Sequence, residues 1–240
     1  MLFFARGVTV EFEGVVAVDQ VDCELNEREL LGLIGPNGAG KTTLLNVLTG
    51  FQRPTEGAVF LGEAEVTNWP PHRLARQGIV RTFQTTHYFG ELTTLENVEV
   101  GSVALGLSRR HAAREAEKIL RLLGIEKRKD VLAKYLPYGE GRKLAVGRAI
   151  ATSPRFLLLD EPAAGLNEVE SAELGNLIAG VRDEIGCGVL IIEHDMRLIL
   201  SRCDRIQVLD HGKTLAVGSP KEIRTDSGVI SAYLGAEAIE

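Results

Sequence analysis

Cysteine is scarce, and what there is does not suit cross-linking. Cys23, Cys187 and Cys203 are an odd number, and no C-x-x-C pair occurs. A disulfide framework or a sulfur-held zinc site is thereby set aside, and buried free thiols in a reducing compartment are expected. Long apolar runs are also missing: none approaches the roughly 18 residues a membrane helix needs. The start, Met1 to Arg6, is too short for a signal peptide. These absences predict a cytosolic protein, anchored by something else if it works at a membrane. Basic charge is in deficit, with 27 Lys and Arg against 33 Asp and Glu and a net charge of −6. That argues against a nucleic-acid partner, which normally calls for a basic excess. Internal repeats and low-complexity tracts are absent too. What is left is an ordinary globular composition, 45% hydrophobic and 25% charged over 240 residues, long enough to bury a real core.

Two periodicities run through it. Val8, Val10 and Phe12 alternate with Thr9, Glu11 and Glu13, and Val21, Cys23 and Leu25 with Asp22, Glu24 and Asn26. Period two predicts half-buried strands. Leu30 to Ile34, Phe156 to Leu159 and Val189 to Ile192 are nearly continuous apolar runs. Such runs suit central strands of a parallel sheet, covered on both faces. Leu174, Leu177, Ile178, Val181 and Ile185 share a helical face, as do Ala112, Ala116, Ile119, Leu120 and Leu123, with Glu117 and Arg121 paired four apart. Gly124 is a stop for the second of these helices, and Thr93 with Glu96 has capping-box spacing. The expectation is one domain: an α/β core from residues 1–86 and 153–240, a helical subdomain inserted over about 87–152, and a short terminal helix from about Asp226.

Three segments carry chemistry. Gly35-Pro36-Asn37-Gly38-Ala39-Gly40-Lys41-Thr42 fits G-x-x-x-x-G-K-[ST], preceded by an apolar strand and followed by Leu44, Val47 and Leu48 at helical spacing. A strand, a glycine loop and a helix N-terminus make an anion site, because the glycines let backbone N–H groups approach phosphate oxygens. Lys41 supplies positive charge for the outer phosphates, and Thr42 a hydroxyl for Mg²⁺. In Leu157-Leu158-Leu159-Asp160-Glu161 a buried strand ends in two carboxylates. Asp160 would join the Mg²⁺ shell and Glu161 would orient an attacking water. In Ile191-Ile192-Glu193-His194-Asp195 a histidine tips another buried strand at the same edge, where it would contact a γ-phosphate. Each has a plain alternative: a glycine-rich turn, a strand ending in a charged turn, a solvated histidine.

In this order the segments resemble the ATP-binding subunits of ABC transporters, over essentially the whole chain. The resemblance implies a P-loop NTPase core with a mixed, mainly parallel sheet, an N-terminal antiparallel β-subdomain and an inserted helical subdomain. Gly35 to Thr42, with Thr43 after it, matches Walker A, and Phe156 to Glu161 matches Walker B with its catalytic glutamate. Gln84, after Arg81-Thr82-Phe83, is similar to the Q-loop glutamine, which would act in catalysis and on the metal with Thr42 and Asp160. Ala164-Gly165-Leu166-Asn167 matches the D-loop and His194 the switch histidine. Leu136-Pro137-Tyr138-Gly139-Glu140 stands where the signature motif belongs, Gly139 being 21 residues before Asp160. Phe12 is a candidate for the aromatic that stacks on adenine; a plain inward strand residue is the alternative.

Family resemblance further implies ATP and Mg²⁺ as cofactors and a head-to-tail pair of ATPase subunits, alike or different. Each ATP would lie between one chain's Walker A and the other's signature. Permease subunits would dock near Gln84 and Thr85 to Phe89, with Tyr88 and Phe89 as an exposed aromatic pair. A solute-binding protein would be an indirect partner, and the chain would sit on the inner face of the cell membrane. Tyr138-Gly139, the stretch Glu161 to Asn167 and Tyr233-Leu234-Gly235 resemble the branched-chain amino acid importer group. The signature departs from the usual pattern: Pro137 has no hydroxyl or N–H where serine is usual, and Glu140 brings a charge that would repel phosphate. Gly139, Arg142 and Lys143 are kept, and a helix N-terminus after Gly139 would still face an anion. The alternatives are a nucleotide-gated subunit with little turnover, an ABC ATPase for another solute or one of DNA repair or translation, and a P-loop small-molecule kinase.

Overall fold

The computed structural model describes residues 1–83 and 88–237. Strands β1 (Leu2–Phe12) and β2 (Val15–Asn26) form a long hairpin, and β3 (Leu30–Ile34) leads through the glycine loop into α1 (Lys41–Leu48). Then come β4 (Glu56–Leu61), β5 (Ala64–Glu65), α2 (Pro71–Arg76) and β6 (Ile79–Arg81). Helices α3 (Thr94–Ala104), α4 (Arg109–Leu122) and α5 (Tyr138–Ile150) follow, with short 3-10 turns at Glu126–Arg128 and Ala133–Tyr135. The chain returns through β7 (Phe156–Asp160), α6 (Glu168–Ile185), β8 (Gly188–Ile192), α7 (Met196–Arg202), β9 (Arg205–Asp210) and β10 (Lys213–Gly218). It closes with α8 (Pro220–Thr225) and α9 (Ser227–Glu237).

Two sheets result. One is antiparallel, in the order β2-β1-β4-β5; the other runs β10-β9-β3-β8-β7-β6. In the second, all neighbours pair in parallel except β9 with β10. The expected mixed, mainly parallel sheet and separate antiparallel sheet are therefore present. The three continuous apolar runs are β3, β7 and β8, three of the four inner strands of the mainly parallel sheet, and every residue of them is buried.

That sheet separates two apolar clusters. Leu31, Leu33, Phe156, Leu158, Leu190 and Ile192 face α1 and the antiparallel sheet. Leu30, Ile34, Leu157, Leu159, Val189 and Ile191 face the other way, sharing a cluster with Val98, Leu120 and Leu144 of α3, α4 and α5. Successive residues point to opposite faces, so an apolar run serves both.

Most local signals correspond to structure. Thr93 and Glu96 close a complete capping box on α3. Gly124, just past α4, has φ +67°. The partner of Glu117, however, is Lys129 at 3.5 Å rather than Arg121. Among the described residues no helix is long and apolar enough to cross a membrane.

Candidate functional site

The C-terminal ends of β3, β7 and β8 converge where the glycine loop turns into α1. The loop's shape demands glycine at two points. At Gly35 (φ +149°) a Cβ would overlap the Leu209 carbonyl, and at Gly40 (φ +98°) it would come within 2.5 Å of the Ala17 carbonyl. Gly40 is also the N-cap of α1 and provides no side-chain cap, and the first turn holds no acidic residue. The leading N–H groups of α1 are thus left for an external anion, which the helix dipole favours. Lys41 is buried and donates to the carbonyls of Gly35 at 2.7 Å and Pro36 at 2.9 Å. Burial holds its ammonium below the ordinary lysine value, and the carboxylates of Glu161 and Asp160 pull it back up.

One pocket is lined by Ala17, Asn37, Gly38, Ala39, Gly40, Lys41, Thr42, Thr43, Glu161 and His194. Glu161 and His194, 33 positions apart and at the ends of different strands, touch: Nε2 of the imidazole lies 3.0 Å from Oε1 of the carboxylate. Glu161 has φ +46° and donates its N–H to the Ile192 carbonyl at 3.0 Å. Such a backbone is uncommon outside glycine and persists only where the surroundings enforce it. Here it carries the side chain off the end of β7 towards the pocket.

Asp160 is buried, and its Oδ2 pairs with Arg81 Nη2 at 2.7 Å, both side chains being 7% exposed. Arg81 also donates through Nη1 to Asn46 Oδ1 at 2.5 Å. The guanidinium thereby joins β6, β7 and α1. Among the described residues no cluster of three or more His, Cys, Asp and Glu could cage a metal. One carboxylate (Asp160) and one hydroxyl (Thr42) nonetheless fit Mg²⁺, a hard cation usually held by one or two protein oxygens, waters and substrate phosphates.

The signature segment lies elsewhere. Pro137 is the N-cap of α5, which begins at Tyr138, so Gly139 is inside the first turn rather than ahead of it. Gly139 lines a separate groove with Pro137, Glu140, Lys143, Leu166 and Glu170. Glu140 is held by Arg128 Nε at 2.9 Å, so its charge is partly neutralised and not simply set against phosphate.

The remaining candidates divide. Phe12 is 46% exposed at the tip of β1, which rules out the inward strand position; it lies outside the group lining the phosphate pocket. Phe89 is exposed but Tyr88 is not its equal: it packs on the core and lies within reach of Gly141. Gln84 and Thr85 lie outside the described residues.

Residues 18–164 match the family model described as "ABC transporter". The chain belongs to the ABC transporter family. A second model, "Branched-chain amino acid ATP-binding cassette transporter", matches residues 213–239. The chain is 43% identical to the high-affinity branched-chain amino acid transport ATP-binding protein LivG of Salmonella typhimurium, covering 98% of each. It is 42% identical to BraF of Pseudomonas aeruginosa, a protein of the same description, covering 95% of this chain and 96% of the relative. Among solved structures it is similar to the ADP conformation of MJ1267, an ATP-binding cassette of an ABC transporter, with a TM-score of 0.88, 31% identity and 98% coverage of both chains.

Within this ATP-binding cassette, three residues gain a place that their motifs did not give them. In the sequence Arg81 stood only as the first residue of the stretch before Gln84. Glu193 was legible only as a carboxylate at the end of a buried run. Tyr233, on the terminal helix, is half-buried, its hydroxyl is pushed up to about 12 by desolvation, and the backbone N–H of Gly35 faces it.

Proposed function

We propose that this ABC ATPase powers the import of branched-chain or other hydrophobic amino acids. The 3.0 Å contact between Glu161 and His194, at the mouth of an uncapped helix N-terminus, carries the hydrolytic part of the reading. The names of its relatives and the match of its C-terminal segment support the solute class.

The N–H groups leading α1 and the Lys41 ammonium bind the outer phosphates. Thr42 and Asp160 hold Mg²⁺, which when bound neutralises charge developing on the transferred phosphoryl group. Glu161 orients a water and accepts its proton, while His194, hydrogen-bonded to Glu161, meets the γ-phosphate. Gln84 completes the site, and Phe12 stacks on adenine. A second ATPase subunit, identical or different, supplies the opposing signature, and Gly139 with the first turn of α5 serves that partner's ATP. If the pair is mixed, Pro137 weakens the partner's site and the site of Lys41 and Glu161 carries more of the turnover. Residues 87–152 act as a helical subdomain on which permease subunits dock. The exposed apolar side chains Phe89, Val100, Val103 and Leu105 suit that contact. The chain then works at the inner face of the membrane, and a solute-binding protein delivers the amino acid.

The test is the Glu161→Gln variant. ATP should convert it from monomer to a stable dimer in solution mass measurements, or to a complex with the partner subunit. Its turnover should fall by a factor of about 100, the lower range for losing a general base. Unchanged turnover in the assembled transporter would sink the reading. Solute class is tested by uptake of labelled leucine, isoleucine and valine.

A further inference from the structure

Glu193 separates β8 from His194 and is 4% exposed. Its partners are backbone N–H groups rather than a cation. Oε1 accepts from Ala163 at 2.6 Å and Oε2 from His194 at 3.2 Å. Ala163 belongs to the loop that follows Glu161. The next carbonyl in that loop, Ala164, accepts from Tyr138 Oη at 2.8 Å and Arg142 Nη2 at 2.9 Å, both on α5. Two adjacent residues of one loop are therefore held from opposite sides: the N–H from the His194 side, the carbonyl from the signature helix. A buried carboxylate is costly to keep, and two charge-assisted hydrogen bonds only partly offset that cost. Its place is better explained by what it joins.

We propose that Glu193 is a positioning residue whose carboxylate ties the loop after Glu161 to the backbone of His194, so that movement of α5 against the loop reaches the imidazole. The path is continuous: Tyr138 and Arg142, Ala164, Ala163, Glu193, His194 and Glu161. It gives the segment serving a partner's nucleotide a physical connection to this chain's own hydrolytic pair, and it rests on the reading of Glu161 and His194 as that pair.

Burial pushes the Glu193 carboxyl up to about 7 against the pull of its two N–H partners, and the carboxylates of Glu161 and Asp195 push it the same way. The His194 imidazole, hydrogen-bonded to Glu161, and the Arg142 guanidinium, which reaches the neighbouring carbonyl, also lie nearby. Ionised, the group accepts fully from both N–H groups. Protonated, it loses much of that capacity on one oxygen.

Amide exchange in the full chain tests the tie without reference to hydrolysis. After correction for intrinsic exchange, the Ala163 N–H should be protected at pH 8 and lose protection by about tenfold towards pH 6, as one titration through a value near 7 requires. Protection that stays flat across that range overturns the proposal, and this readout needs no variant to fold. Glu193→Gln should show the low protection at both pH values. It should also lose about tenfold in ATP turnover at pH 8, one hydrogen bond's worth of positioning, while ATP affinity holds and the variant still unfolds cooperatively. A variant that turns over ATP like the wild type at pH 8 also overturns it. Glu161→Gln distinguishes the two levels: if that variant still hydrolyses ATP normally, the assignment of the pair fails, whereas the exchange result stands on its own.

Discussion

Removing the Arg81 guanidinium would strip Asp160 of its 2.7 Å ionic partner while leaving the carboxylate buried. Breaking one side of a buried pair typically costs about 3–5 kcal/mol, because an uncompensated charge stays behind. Arg81→Ala should therefore lower the urea midpoint by about that cost divided by the slope, with the slope unchanged. Arg81→Lys should recover only part, since an ammonium cannot span Asn46 and Asp160 as the planar fork does. Glu193 ties stability to pH. Its folded-state value, about 7, lies above the ordinary 4.5, so between these values the folded chain holds more protons than the unfolded one. The stability this group contributes is complete below the lower value and is lost as pH rises through the higher. The wild type should therefore lose urea resistance relative to Glu193→Gln between pH 5 and pH 8; a constant difference between the two would contradict it. Neither residue was visible as functional in the sequence. Arg81 and Asp160 are 79 positions apart, Glu193 and Ala163 are 30 apart, and no periodicity encodes such a contact.

Elements were more legible, because their signals are local. α3 begins where Thr93 and Glu96 said it would, and α6 begins on a box that the pattern of its apolar face did not reveal. There Asn167 accepts from Val169 and Glu170 while Glu170 returns to the N–H of Asn167. Thr93→Ala and Asn167→Ala should each cost about 1 kcal/mol in chemical denaturation. Only the second should also reduce ATP turnover, since Asn167 ends the loop that Glu193 and Arg142 hold. The three apolar runs gave the buried strands, but β6, only three residues long, was invisible: so short a segment has no period to read. The strand order was likewise illegible, being decided by which faces pack together. The glycine loop was the clearest part of all, since its backbone requirement is written into residue type.

The sheet binds all of this into one cooperative body. Because β3, β7 and β8 feed alternate side chains to both clusters, the phosphate loop, the carboxylates and the helices of residues 94–150 share a single scaffold. Nucleotide binding at its edge should therefore stabilise the entire chain. At a hundredfold excess over the dissociation constant the gain is about 2.7 kcal/mol, read as a rise in melting temperature with ATP. Lys41→Ala should abolish most of that rise while leaving the nucleotide-free melting temperature nearly unchanged. An undiminished rise would remove Lys41 from the binding site.

The three thiols close the account in a different way. All are buried, and burial pushes Cys23 and Cys203 up to about 12 and Cys187 up to about 11. The thiolate is the reactive form, so at neutral pH the native thiols should react slowly with maleimides and mild oxidants. A single thiol introduced on the surface, for example by Val169→Cys at a position 69% exposed beside the Asn167 cap, would be the one fast-reacting site. The native chain should then serve as a cysteine-less background, on which a fluorophore could report on the surroundings of that loop without any native cysteine being removed.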